Sequence, residues 1–224
     1  PPYGVNYDPQ WRKGIHVRHT DTTNGTKIAN DDSFVWMDAL RVSSSFYDVA
    51  YVWCASWFVA QTQFCLEELG YITKYLIIWA KDLHVLGRGD YHWRHEPCLY
   101  VVKDGCTSNW QGARNQNTVW DIPTIHSFKN TDPHGISVDP DTHKQSWGLK
   151  GHGNQKPIEC MKRPILNNSA DGQKILDLFL GSGTTLIACA QTGRVCYGME
   201  ISPDYVAVIL QRARDAGMSC ELIQ

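Results

Sequence analysis

A chain of 224 residues with a formal net charge of −2 is long enough for one substantial core and too nearly neutral to bind a polyanion through bulk charge alone. No linker, repeat or low-complexity tract divides it, and no apolar run is long enough to cross a membrane. Its 8 cysteines form no Cys-x-x-Cys pair, and Cys54, Cys65, Cys98, Cys189 and Cys196 lie in apolar runs, so reduced core thiols are expected rather than disulfides or a zinc site.

In chain order, the first marked segment is basic with an aromatic: Trp11, Arg12, Lys13, His16, Arg18 and His19. It reads either as a phosphate-facing surface, with Arg12 and Lys13 as DNA contacts, or as a solvated loop. Asp31 or Asp32 can cap a helix that carries Phe34, Met37, Ala39 and Leu40 at helical spacing, and Val49 to Cys54 reads as a buried strand. A helix from about Phe58 to Leu69, closed by Gly70, precedes a strand from Tyr71 to Ala80. A further strand, Pro97 to Val102, ends at Asp104-Gly105. His92, His95 and Glu96, just before it, permit a metal site by residue type, but spacing alone argues poorly for one.

From Cys106 to about His152 the alternation stops, and Asn, Gln, Thr, Asp and Gly dominate around Trp110, Trp120 and Trp147. Arg, Asn and Gln pair bidentately with base edges, so Arg114, Asn115 and Gln116 are candidate DNA readers; a polar loop packed by its tryptophans is the alternative. The stretch from His143 to Arg163 carries Lys144, Lys150, Lys156, Lys162 and Arg163 against one acid, Glu159. Pro157 suits the first turn of a helix over Ile158 to Leu166.

Next comes a strand, glycine turn and helix: Lys174-Ile175-Leu176-Asp177, then Phe179 and Gly181-Ser182-Gly183, then a helix from Thr184 and Thr185 closed by Gly193. A second strand, from Arg194, ends in Glu200, about twenty residues past the turn, where a Rossmann-type unit places the acceptor for ribose hydroxyls. The glycine spacing departs from G-x-G-x-x-G. That disfavours a pyrophosphate ligand and fits a nucleoside with an amino-acid tail, S-adenosylmethionine, while an ordinary βα turn remains the plain alternative. Pro203 and Asp204 open a last helix that ends near Gly217. The alternation as a whole predicts a doubly wound α/β sheet.

Asp177-Leu178-Phe179-Leu180-Gly181-Ser182-Gly183-Thr184-Thr185 resembles the D-P-F-x-G-S-G-T-T motif of amino-group DNA methyltransferases, with Leu178 in place of the usual proline. Pro1-Pro2-Tyr3-Gly4 is similar to the last part of their D-P-P-Y-G catalytic motif. The likeness extends through Tyr51-Val52-Trp53, through Leu76 to Lys81 with Gly89 to Glu96, and through Gln155 to Glu159, and is strongest to phage-type and ParB-associated modification methylases. His152-Gly153-Asn154 stands where the family usually has H-P-T.

The resemblance implies a Rossmann-like, S-adenosylmethionine-dependent methyltransferase fold in the circularly permuted order, as a single domain. Its catalytic half would span 1–105, a small inserted target-recognition region about 106–152, and the cofactor-binding half about 153–224. Tyr3 would stack on an extruded base, and the carbonyl of Pro1, aimed by the Pro1-Pro2 pair, would accept one hydrogen of the exocyclic amine. Asp177, Phe179, Gly181, Ser182, Gly183, Thr184 and Lys156 would hold the methionine part, and Glu200 the ribose.

The acid the family carries before that proline, the strand leading into it and an upstream acid near the adenine are not in the sequence, so a fragment of a longer gene product is expected. The implied activity is methyl transfer to adenine N6, with cytosine N4 or a truncated, non-catalytic DNA-binding chain as alternatives; Gly4-Val5 resembles the adenine branch. Duplex DNA is the implied partner, a homodimer and a cognate restriction endonuclease are the candidate protein partners, and a bacterial or phage-encoded cytoplasmic protein is the implied setting. A dinucleotide oxidoreductase is disfavoured by the glycine spacing.

Overall fold

The longest run of buried residues among those described lies at the centre of β3 (Trp93–Lys103). This strand runs antiparallel between β1 (Val49–Trp53) and β2 (Tyr71–Val85), while β4 (Val119–Asp121) pairs parallel with the far edge of β2, giving the order β1-β3-β2-β4. Within β3 the pleat sends Cys98, Tyr100 and Val102 to one face and Leu99 and Val101 to the other. Both faces are covered, which is why the strand reads as an unbroken apolar run instead of an alternation. The computed structural model describes residues 36–85, 90–125, 137–138, 145–146 and 155–223; the caps foreseen at Asp31 or Asp32 lie outside them.

One face is closed by α1 (Trp36–Ser43) and by α2 (Val59–Glu68), the latter entered through a short 3-10 turn at Ser56–Phe58. Trp36, Leu40 and Leu66 pack there with Val52, Tyr71, Leu99 and Val101. On the other face Trp53 meets both Trp79 and Trp120 edge to face around Ile77 and Cys98, beneath Cys160 of α3 (Ile158–Asn168). A register shift between Thr73 and Tyr75 lets β2 serve both faces: Tyr71 points to the first, and Ile77 and Trp79, also odd-numbered, to the second. One extra residue reverses the side on which every later side chain emerges.

Pro97 sits inside β3 and not at its start, as the sequence had suggested. Its carbonyl accepts from the Cys54 amide, which lies just past the end of β1. The missing N–H of the proline therefore faces a point where the ladder has already stopped.

A second, parallel sheet joins β7 (Lys174–Asp177) to β8 (Val195–Gly198). Ile175 and Cys196 pack on Ala188 and Cys189 of α4 (Thr184–Gln191) and on Ile165 of α3; α5 (Pro203–Asp215) follows β8. The two sheets are joined by α3, whose Met161 touches both apolar clusters, and by Leu178 and Phe179, which pack against the cluster under α1 and α2. A two-residue ribbon pairs β5 (Ser137–Val138) with β6 (Gln145–Ser146).

The α/β class and nearly every foreseen element are present. The difference is in direction: the larger sheet is mostly antiparallel, because β3 is inserted antiparallel between β1 and β2, which run the same way and are joined across it through α2. Alternation of strand and helix in a sequence does not encode strand direction. β4 falls within the stretch foreseen as the recognition insertion and is an edge strand of the main sheet.

Candidate active site

The turn after β7 is ordered by its own side chains. Asp177 accepts at Oδ1 from the Phe179 amide (3.0 Å) and at Oδ2 from the Thr185 hydroxyl (2.5 Å), so one carboxylate ties the end of the strand to the loop and to the first turn of α4. Glu200, two residues past the end of the neighbouring strand β8 and not on it as foreseen, does the same: Oε2 accepts from the Gly181 amide and Oε1 from the Ser202 amide, both at 2.8 Å. Gly181 and Gly183 hold φ of +56° and +84°, which only glycine adopts without cost. A Cβ on Gly183 would stand 3.2 Å from Cγ1 of Ile209, so α5 packs directly against the turn.

Two consequences follow for a ligand. Gly183 caps α4 with no side-chain acceptor, so the first amides of the helix have no side-chain cap and a carboxylate is favoured there. Glu200 uses one lone pair on each oxygen for the backbone, and each oxygen has a second available for a ribose hydroxyl. A nucleoside with an amino-acid tail fits these groups.

Sequence reasoning missed the groups behind the turn. Arg212 of α5, only 8% exposed, donates from one terminal nitrogen to the Ser182 carbonyl (2.5 Å) and to its hydroxyl (3.3 Å). Burial pulls its guanidinium below the usual arginine range. Thirty residues separate Arg212 from Ser182, so only helix periodicity, which places Ile209 and Arg212 one turn apart on α5, could have hinted at it.

Lys156 was foreseen at the cofactor, and its carbonyl accepts from the Thr184 hydroxyl at 3.4 Å, at the start of α4. Its ammonium lies 2.9 Å from Glu96 Oε2 and 5.1 Å from the centre of the Trp53 ring. Glu96 also pairs with Lys81 at 2.5 Å. A metal on His92, His95 and Glu96 is not what the structure holds together: among the described residues no group of three His, Cys, Asp or Glu side chains could bind one. Instead His92 stacks on His84 at 5.1 Å, and His95 meets Ser56 Oγ at 3.4 Å. Beside them Trp57, 72% exposed, lies edge-on to Trp93 at 5.8 Å, and Trp93 to His95 at 5.4 Å, an aromatic surface that no spacing along the chain foreshadows.

Two of the candidate base readers in the recognition stretch, Arg114 and Gln116, differ. Arg114 is exposed in a turn. Gln116 has its amide committed: it donates to Asn167 Oδ1 at 2.7 Å and accepts from Asn167 Nδ2 at 2.8 Å, with Asn167 only 4% exposed. Asn168, next along α3, binds Tyr51, Tyr100 and the Ser108 carbonyl. Pro1, Pro2, Tyr3, Arg12 and Lys13 lie outside the described residues. All the cysteines among them are free, and burial pushes the Cys54 thiol up to about 11 and that of Cys160 up to about 12, as expected of inert core thiols.

Comparison with known proteins supplies the wider frame. Residues 1–211 match the family model N6_N4_Mtase, described as DNA methylase. The type II methyltransferase M.HpaI of Haemophilus parainfluenzae is 22% identical over 206 residues, 92% of this chain and 66% of that relative. The DNA adenine methyltransferase YhdJ of Escherichia coli (strain K12) is 28% identical, over 61% of this chain and 50% of its own length. The crystal structure of an M1.HpyAVI–SAM complex superposes with a TM-score of 0.63 at 21% identity, covering 81% of this chain and 84% of the other. The chain thus spans from half to about two thirds of the length of these two curated relatives.

Proposed function

The chain belongs to the DNA methylase family whose model covers residues 1–211, and on that premise we propose that it transfers a methyl group from S-adenosylmethionine to the exocyclic N6 amine of adenine in duplex DNA. The observation that carries this reading is the turn after β7, where Asp177 and Glu200 satisfy the loop internally while the start of α4 lacks a side-chain cap. The complex named for the M1.HpyAVI structure is with SAM, and it shares this fold.

The cofactor supplies an electrophilic methyl on a sulfonium. The chain's residues do the rest by placement. Amides at the start of α4 and the Lys156 ammonium receive the carboxylate of the methionine part, and Glu200 accepts from the ribose. An exocyclic amine is a weak nucleophile because its lone pair is delocalised into the ring, and it is hidden within the duplex, so the base must be turned out. Tyr3 would stack on it, and the Pro1 carbonyl would accept one amino hydrogen, stabilising the positive charge that grows on nitrogen as the N–C bond forms and the S–CH3 bond breaks; the cofactor would leave as its neutral thioether and the surplus amino proton would pass to solvent. Arg12, Lys13 and Arg114 contact the DNA. The motif order, catalytic first and cofactor last, supports the permuted arrangement.

Incubation with methyl-tritiated S-adenosylmethionine and unmethylated duplex DNA, followed by digestion to nucleosides, tests the reading. Label is expected in N6-methyladenine. Label in N4-methylcytosine would move the chain to the other branch of its family, and no label from a chain that binds the cofactor would leave a cofactor- and DNA-binding module.

A further inference from the structure

Three charged side chains meet where the larger sheet touches the cofactor half. Glu96 of β3 lies between Lys81 of β2 and Lys156 of the segment before α3, with contacts of 2.5 and 2.9 Å to separate carboxylate oxygens. Their side chains are only 19%, 11% and 18% exposed. The two ammonium groups also lie over the rings of Trp79 and Trp53, at 4.8 and 5.1 Å. Charges this poorly hydrated are screened little, so removing the shared carboxylate sets two cations against each other within a wall of tryptophans.

Lys156 is also bound at its backbone, where its carbonyl accepts from Thr184 at the first turn of α4, and Pro157 then caps α3. One residue thus links the anionic centre of the main sheet to the start of the cofactor helix.

We infer that Glu96 is a positioning residue for the cofactor: shared between Lys81 and Lys156, it fixes the Lys156 ammonium and the segment it belongs to against the start of α4. The inference rests on the reading of that site as one for S-adenosylmethionine. One carboxylate between two ammoniums leaves one net positive charge, the complement of a ligand carboxylate.

The dissociation constant for S-adenosylmethionine, measured by calorimetry on the 224-residue chain, E96Q and the double variant E96Q/K81M, tests this. E96Q is expected to bind about tenfold more weakly, a loss of about 1.4 kcal/mol. E96Q/K81M, which removes the repulsion that E96Q creates, should return to within about threefold of the parent. In turnover, E96Q should raise KM for the cofactor about as much while kcat stays within about twofold, a split that a general loss of packing would not give. Unchanged binding by E96Q, or a double variant weaker than the single, overturns the inference and leaves the cofactor reading standing; a folded parent that binds no cofactor overturns both. If E96Q does not fold, the double variant decides alone: recovery supports the shared-charge role, and failure to fold makes Glu96 a core-stability group only.

Discussion

The turn after β7 and the loop after β3 are built from similar residues, glycine with Ser, Thr, Asn or Gln, and both were marked as functional by their sequence. They commit their hydrogen bonds differently. The turn uses two carboxylates, Asp177 and Glu200, to satisfy its own amides, and Arg212 to hold Ser182 from behind, leaving the start of α4 without a side-chain cap. The loop from Cys106 to Asn117 is tied down from outside, through Gln116 to Asn167 and through Ser108 to Asn168. A polar side chain that holds its own backbone in place builds a site, and one whose amide is already paired with a buried amide is taken from the set that can read a base. Arg114, exposed in the same loop, remains in that set.

Four substitutions break or sharpen this contrast. The largest effect is expected from Asp177→Ala, which leaves the Phe179 amide and the Thr185 hydroxyl without their acceptor. Hydrogen bonds to charged groups contribute about 1.5–3 kcal/mol each, and cofactor affinity should fall by at least about thirtyfold in a calorimetric titration. Gly183→Ala forces a side chain into the left-handed region and within 3.2 Å of Ile209, so a loss of about 1–2 kcal/mol of stability is expected, together with weaker cofactor binding, in thermal melts run with and without cofactor. Asn167→Ala, which removes a buried amide while its exposed partner Gln116 turns to water, should cost about 0.5–1.5 kcal/mol of stability per hydrogen bond lost, with cofactor affinity unchanged; coupled loss of both would mean that loop and turn are one unit. Smallest in the fold, Arg114→Ala should leave stability within about 0.5 kcal/mol, weaken DNA binding and lower the salt slope by about one.

The buried thiols add a pH dependence independent of both segments. The folded values of Cys54 and Cys160 stand above the ordinary thiol value of 9.0, at about 11 and about 12, because burial disfavours the thiolate. The folded chain holds protons that the unfolded chain gives up. This contribution is complete below about pH 9 and is lost as pH rises from there through about 11 to 12. Denaturant midpoints from pH 7 to 10.5 should be flat to about pH 8.5 and then fall.

Much of the cofactor half was legible because its logic is local. Asp177, the glycines, Thr184, Thr185 and Glu200 lie on a strand, a turn, a helix and just past the next strand, and periodicity with turn chemistry places all of them. Groups brought together by tertiary packing were not: Arg212 on Ser182, Gln116 on Asn167, and Glu96 between Lys81 and Lys156 join residues from 15 to 60 positions apart, with no spacing rule to find them. Strand direction was equally hidden, since the apolar runs of β1, β2 and β3 look alike whichever way they pair. Gln116 shows the limit most plainly: its residue type fits base reading, and a partner 51 positions away takes the amide.

The central claim is that the turn after β7, ordered by Asp177 and Glu200, is a binding site for S-adenosylmethionine. A calorimetric titration of S-adenosylmethionine into the folded chain and into Asp177→Ala addresses it directly. The account predicts one saturable site on the parent in the range of about 1 µM to 1 mM typical of enzyme substrates, weakened by at least about thirtyfold in the variant. No saturable binding by the folded parent, or equal binding by both proteins, would contradict it.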